Sequence, residues 1–345
     1  MEIYSLSEWD LRSMFDDLAS DAYVFMPVFC QQEGGPRSKW EFARWEPDKT
    51  HFQLNCRRTD AISKDFFLPP KNILHTYPDG NPEKENKETV IFGYKGCDIR
   101  SLEILDRAFS EGDFSYPFYE ERRERTTIIS CDCIDVSDKC FCNKVGGGPY
   151  PTSGFDLNVS NLPAYGDLIV EVGEDSAKGH EVLDRFGHYF TEATDDQIRE
   201  REKHREEMTE RLEEQNSYFE VGPGLDEVGA DAPFWEKYSK KSSYCSAYTL
   251  ACPTSLALHD LKRDGDKAEI LGEVWDGATI KKMCKELESD DPTDSRIKEM
   301  FYDKFVRYYE QFGEYGCSGC GQCARIAGGE VDMRDVIHDA SNCSC

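Results

Sequence analysis

Between residues 22 and 92 the apolar and aromatic side chains fall into short strand-like runs, at 23–29, 40–45, 51–55 and 89–92, separated by Gly, Pro and Asn turn residues. A helical pattern follows over 99–109. Further strand-like runs at 126–130, 154–159 and 168–172 predict one α+β domain over about the first 190 residues. The pattern changes at Thr194, which forms a capping box with Gln197. The stretch 194–215 is rich in Glu, Arg and Lys, with Ile198, Met208 and Leu212 as apolar anchors, which predicts a mostly solvated helix bridging two domains. Gly222, Pro223 and Gly224 then punctuate a linker, so the expected division is 1–221 and 222–345. In the second part, 295–312 puts Ile297, Phe301, Phe305, Tyr308 and Phe312 on one helical face, with Gly313 as the stop. That aromatic stripe reads as packing.

Charge narrows the partners. The chain of 345 residues carries 68 acidic against 41 basic side chains, a formal charge of −27. Such a field repels phosphate backbones and anionic headgroups, so neither nucleic acid nor a membrane surface is expected as a partner. No stretch approaches the ~20 apolar residues of a membrane span, and residues 1–18 form a charged amphipathic segment without a signal-peptide core. The expected location is the cytoplasm. Thiols stay reduced there, so fifteen cysteines point to metal or redox chemistry rather than to a disulfide scaffold.

The sharpest signal is Cys317-Ser-Gly-Cys320-Gly-Gln-Cys323, whose C-x2-C-x2-C spacing wraps three thiolates around an iron–sulfur cube. Structural zinc is the main competitor, but zinc sites generally use separated C-x2-C pairs. In two-cluster ferredoxins the last cysteine of each C-x2-C-x2-C-x3-C-P run ligates the other cluster. Reading back from Cys252-Pro253, the partner run is eroded to Ser242, Cys245, Tyr248 and Cys252, and Ala327 stands at the fourth position of the later run. Crossing the runs gives one complete set, Cys252, Cys317, Cys320 and Cys323, and one ruined set, Ser242, Cys245, Tyr248 and Ala327. One C-terminal [4Fe–4S] cluster is expected, in a mainly α-helical, ferredoxin-like second domain. Cys284, Cys343 and Cys345 read as bystander thiols.

A second group comprises Cys97 in Gly-Cys97-Asp98-Ile and Cys131, Cys133, Cys140 and Cys142. Spacing alone leaves these between metal ligands and buried small hydrophobes. The string Gly-Cys97-Asp98-Ile-x-x-Leu102-x-x-Leu105-Asp106, then Tyr119 with Arg122-Arg123-Glu124, Cys140-Phe141-Cys142, Gly154-Phe155-Asp156-Leu157 and Lys178-Gly179-His180 resembles the iron–sulfur beta subunit of cytoplasmic sulfhydrogenases. It is also similar to the A subunit of anaerobic sulfite reductase. The resemblance covers nearly the whole chain and takes in Phe66 to Pro70, Trp275-Asp276 and the C-terminal cysteines.

The resemblance implies an electron-transfer subunit of an anaerobic oxidoreductase, without catalysis of its own, relaying electrons between a flavin/NAD(P)H-binding subunit and a catalytic hydrogenase or sulfite/sulfur reductase subunit. It also makes Cys97, Cys133, Cys140 and Cys142 a candidate second cluster site, with Cys131 extra to the pattern. The chain departs from the family at Ser242, Tyr248 and Ala327, which remove one set of ligands. Two other readings stand beside this one: a zinc-stabilised interaction scaffold descended from such a subunit, and a terminal reductase of sulfur or sulfite. No G-x-G-x-x-G or P-loop pattern occurs, and Gly146-Gly147-Gly148 reads as a flexible turn.

Overall fold

Leu11, Met14, Phe15 and Leu18 recur at the spacing of one helical face, and all four are buried on α1 (Glu8–Asp21). Ser7 starts that helix, accepting the Asp10 amide at 3.0 Å on its hydroxyl. Strand β1 (Ile3–Ser7) precedes it and β2 (Ala22–Cys30) follows directly. These elements open a computed structural model that describes residues 2–30, 39–47, 50, 54, 58–77, 87–111, 115–162, 166–222, 225, 228, 234–241, 247–256, 258–264, 269–275, 293–326 and 331–342. The chain divides into two units. The first comprises Met1–Ser63, Lys87–Asn216 and Ser318–Cys320, the second Lys64–Asn86, Ser217–Cys317 and Gly321–Cys345.

In the first unit the remaining strands are β3 (Lys39–Arg44), β5 (Glu88–Tyr94), β6 (Thr126–Cys131), β7 (Leu157–Leu162), β8 (Asp167–Val172) and β9 (Thr191–Glu192). They form an eight-stranded sheet in the order β3-β2-β5-β6-β7-β8-β1-β9. The four neighbours β2, β5, β6 and β7 run parallel, and the flanking pairs are antiparallel. This unit is therefore α/β with a mixed sheet, where an α+β domain was expected. The difference arises because the crossover from β5 to β6 is helical, through α2 (Gly96–Ser110) and α3 (Pro117–Glu124), which lets the two strands lie parallel. The last five residues of β5 are all buried, as a central parallel strand requires. Phe15 packs edge-on to Phe92 at 5.1 Å in a core shared by α1 and the sheet.

The crossover from β6 to β7 is of another kind. Residues 132–156 form turns and a short 3-10 turn at Cys142–Lys144 in place of a helix, and they carry Cys133, Cys140 and Cys142. Cys97 follows β5 and Cys131 ends β6, so the cysteines gather at the carboxyl ends of parallel strands. Open α/β sheets place their ligand sites at that edge.

Helix α4 (Ala177–Phe186) and helix α5 (Asp195–Gln215) complete this unit. The capping box forms as expected, with the Thr194 amide donating to Gln197 Oε1 at 2.9 Å. The buried face of α5 differs from the expected one. Gln197, Arg201 and Arg205 are buried beside Met208 and Leu212, and Ile198 is only half-buried. The expected strand at 51–55 lies largely outside the described residues.

The second unit adds a sheet to the helices expected there. Strands β10 (Leu258–Asp264), β11 (Glu269–Trp275) and β4 (Lys71–Tyr77) pair antiparallel in the order β10-β11-β4. Helix α6 (Phe234–Lys241) and the helical stretch from Thr293 to Phe312 supply an aromatic core in which Trp235 and Phe301 lie 5.3 Å apart. Ile297, Phe301, Phe305 and Tyr308 are buried, as their spacing predicts, and Gly313 closes the stretch in the left-handed region at φ 74°. No helix among the described residues is long and apolar enough to cross a membrane.

Candidate metal centre

Sulfur donors occur in both units. In the first, Cys97, Cys140, Cys142 and Cys320 share a small buried cluster with Val136 and Leu212. The Cys140 thiol lies 3.8 Å from the Cys320 carbonyl oxygen, and the Phe141 amide donates to the Gly319 carbonyl at 2.7 Å. Cys133 is tied in by its own amide, which donates to Pro149 O at 2.8 Å. The side chains of Gln215 and Asn216, at the end of α5, both donate to Cys140 O, at 2.9 and 3.0 Å. Helix α5 thus fixes the cysteine loop by its last residues.

Three buried charged groups surround these thiols. Arg58 donates from Nε to Asp98 Oδ1 at 2.5 Å and from Nη2 to Ser63 Oγ at 2.9 Å. Asp98 also accepts the Lys95 amide at 3.1 Å, which holds the first turn of α2 where Cys97 sits. Lys95 Nζ reaches the Asp132 carbonyl at 2.9 Å, between Cys131 and Cys133. Burial pushes the Cys97 and Cys142 thiols well above their ordinary range. It takes Cys133 to about 12, against the pull of the Lys95 charge. A thiol held neutral by burial becomes a thiolate ligand when a cation replaces its proton.

In the second unit Cys252 is 8% exposed, and Cys317 and Cys323 are half-buried. Burial raises the Cys252 thiol, but the Lys304 ammonium, the Thr254 hydroxyl and Lys64 outweigh it, leaving the group at about 7. Lys304 is itself held charged: burial opposes its proton, and the sulfurs of Cys252, Cys317 and Cys323 retain it. Lys64 donates to Ser255 O at 3.1 Å and is drawn down to about 8, chiefly by burial. Sequence reasoning did not find Lys64, Lys304, Thr254 or Arg58. A lysine or arginine is ordinarily a surface residue, and only its place in the fold shows otherwise.

The cysteines expected to act together are thus divided between the units. Cys320 belongs to the first unit with Cys97, Cys133, Cys140 and Cys142, while Cys252, Cys317 and Cys323 belong to the second. Of the eroded set, Tyr248 is buried in the second unit, and Ser242, Cys245 and Ala327 lie outside the described residues, as do Cys284, Cys343 and Cys345. Among the described residues, no three His, Cys, Asp or Glu side chains converge as a finished cage for a single metal ion. The donor chemistry nevertheless suits an iron–sulfur cluster. The donors are thiols, Cys97, Cys142 and Cys252 buried and the others half-buried, and buried cations stand beside them to oppose the charge of a thiolate-ligated cluster.

The glycines 146–148 line a cavity of about 370 Å³ with Arg100, Glu103 and Tyr150, so they form part of a recess beside Cys142 as well as a turn.

Residues 241–331 match the family model of the 4Fe-4S dicluster domain. Over 203 residues the chain is 27% identical to the beta subunit of sulfhydrogenase 2 from Pyrococcus furiosus, a match covering 58% of this chain and 58% of that protein. The alignment therefore spans little more than half the length of the curated relative. The chain is an iron–sulfur protein with a 4Fe-4S dicluster domain at residues 241–331, and it is similar to a sulfhydrogenase beta subunit.

Proposed function

We propose that the chain is a non-catalytic electron-transfer subunit of an oxidoreductase complex, relaying single electrons between a flavin/NAD(P)H-linked subunit and a catalytic subunit of hydrogenase or sulfite/sulfur reductase type. The observation that carries this reading is the provision of buried cations beside buried thiols in both units: Arg58 by Cys97, and Lys304 by Cys252. Fixed charge next to a sulfur donor set tunes a redox centre without taking part in bond making. The motif Cys317-x2-Cys320-x2-Cys323 with Cys252 is assigned to one [4Fe–4S] cluster. Cys97, Cys133, Cys140 and Cys142 are assigned to a second.

The chain's own residues have three tasks in this role. Helix α5 fixes the cysteine loop through Gln215 and Asn216. The Arg58–Asp98 pair holds the helix turn that bears Cys97. The packed aromatic residues around Phe301 and Phe305 exclude water from the second unit's core. When bound, the clusters supply the reversible one-electron chemistry.

The test is iron, zinc and acid-labile sulfide content with electron paramagnetic resonance on anaerobically purified protein, before and after dithionite. About eight irons per chain with a reducible cubane signal supports both assignments, and about four leaves one cluster. Zinc without sulfide would overturn the redox reading and favour an interaction scaffold. Reduction of sulfite or sulfur by the isolated chain would overturn the non-catalytic assignment.

A further inference from the structure

The helical stretch that starts at Thr293 is irregular before it ends at Phe312. Over Asp303–Arg307 it widens to the π pattern, an insertion frequent at functional sites. Lys304 lies in that turn. Its carbonyl accepts the Gly316 amide at 2.7 Å, and its ammonium donates to Gly316 O at 3.3 Å, Thr254 O at 3.3 Å and Thr254 Oγ1 at 2.6 Å. Both partners adjoin sulfur. Gly316 immediately precedes Cys317, and Thr254 Oγ1 is 3.4 Å from Cys252 Sγ. Lys304 is 7% exposed and Cys252 8%. The threonine and glycine oxygens satisfy the ammonium's protons but are neutral, and a buried cation without an opposing charge is costly. Among the described residues, the groups that act most strongly to hold its positive charge are the sulfurs of Cys252, Cys317 and Cys323.

We propose that Lys304 is a positioning residue that carries the internal counter-charge of the iron–sulfur group held by Cys252, Cys317 and Cys323, and that it thereby sets the reduction potential of that group. The inference rests on the electron-transfer reading above. When bound, the group would take up one electron from a low-potential donor, and Lys304, held by hydrogen bonds to Thr254 and Gly316, would keep its ammonium charge in place beside it. The fixed positive charge favours the reduced state, which is more negative by one electron, over the oxidised state. Removing the charge therefore makes the group harder to reduce.

The experiment compares the full-length chain with its Lys304→Gln and Lys304→Arg variants, purified anaerobically. Iron and sulfide are measured first. The reduced-state signal, assigned by its loss in Cys252→Ala, is then titrated against potential with dithionite. Gln keeps hydrogen-bond donors and removes the charge; Arg keeps the charge. The expected result is full iron content in both, a midpoint shifted negative in Lys304→Gln, and a midpoint returned toward wild type in Lys304→Arg. Coincident midpoints for Lys304→Gln and wild type, or an Arg variant shifted as far as the Gln variant, would reduce Lys304 to a hydrogen-bonding strut and overturn the proposal. Loss of iron in Lys304→Gln alone supports the counter-charge, whereas loss in both variants overturns it. A wild-type protein without iron and sulfide instead removes the electron-transfer reading on which the inference stands.

Discussion

Arg205 on helix α5 donates from Nε to Asp132 Oδ2 at 2.7 Å, inside the first unit and between two cysteines of the β6 end. Its Nη2 reaches Glu171 at 3.0 Å, and Arg201 joins the same carboxylate at 3.3 Å. Asn158 Nδ2 and Ser160 Oγ also donate to the Asp132 carboxylate, at 2.8 and 2.6 Å. A helix of largely charged composition is thus bound to the sheet by buried ion pairs more than by apolar contact. Removing Arg205 leaves Asp132 buried with only the neutral donors Asn158 and Ser160, and Glu171 with Arg201 as its remaining cation.

Arg205→Ala is therefore expected to destabilise the protein by about 3–5 kcal/mol. Anaerobic urea denaturation reads this directly. A loss below about 1 kcal/mol would show that the pair contributes no more than a surface bridge.

Gly319 has φ 63°, and a Cβ there would lie 2.6 Å from the Cys142 amide nitrogen and Cα. Gly319→Ala should cost more than the roughly 1–2 kcal/mol of left-handed strain alone, because the backbone of the neighbouring loop also has to move. Gly166, at φ 70° with nothing within 4 Å, is the control that meets only the strain. Equal melting temperatures for the two alanine variants would show that the approach of residues 318–320 to Cys142 is not tight.

Cys320 decides the ligand assignment. In the second unit's absence of that residue, Cys252, Cys317 and Cys323 keep their common cation Lys304, while Cys320 packs with Cys97, Cys140 and Cys142. Cys320→Ala is expected to remove or convert one cluster signal. Comparison with the signals lost in Cys252→Ala and in Cys142→Ala shows which cluster it serves. An unchanged iron content and unchanged signals would exclude Cys320 as a ligand.

Cys131 is 3% exposed, and burial lifts its thiol from 9.0 to about 12. A raised folded pKa means that the folded state binds the proton more tightly, so this contribution is complete below about 9 and fades as pH rises toward about 12. Between those limits wild type should lose about 1.4 kcal/mol per pH unit more than Cys131→Ala. Parallel urea midpoints for the two proteins across that window would refute the assignment of Cys131 as a neutral core thiol.

Much of this protein is written locally. The capping box at Thr194 and Gln197, the aromatic face from Ile297 to Tyr308 and the stop at Gly313 follow from spacing and backbone preference, which act over a few residues. The C-x2-C-x2-C motif is equally local and announces iron–sulfur chemistry before any fold is known. Strand order is not local. The same strand-like runs read as α+β until the parallel neighbours β2, β5, β6 and β7 show a mixed α/β sheet. Nor does the sequence say that Arg201, Arg205, Lys64 and Lys304 are buried, since long charged side chains are ordinarily solvated and only a distant carboxylate or thiolate makes their burial tolerable. The sequence by itself determined the sulfur chemistry and most of the elements. The tertiary structure decided which cysteines share a unit and which cations stand beside them, because those relationships join residues dozens to hundreds of positions apart.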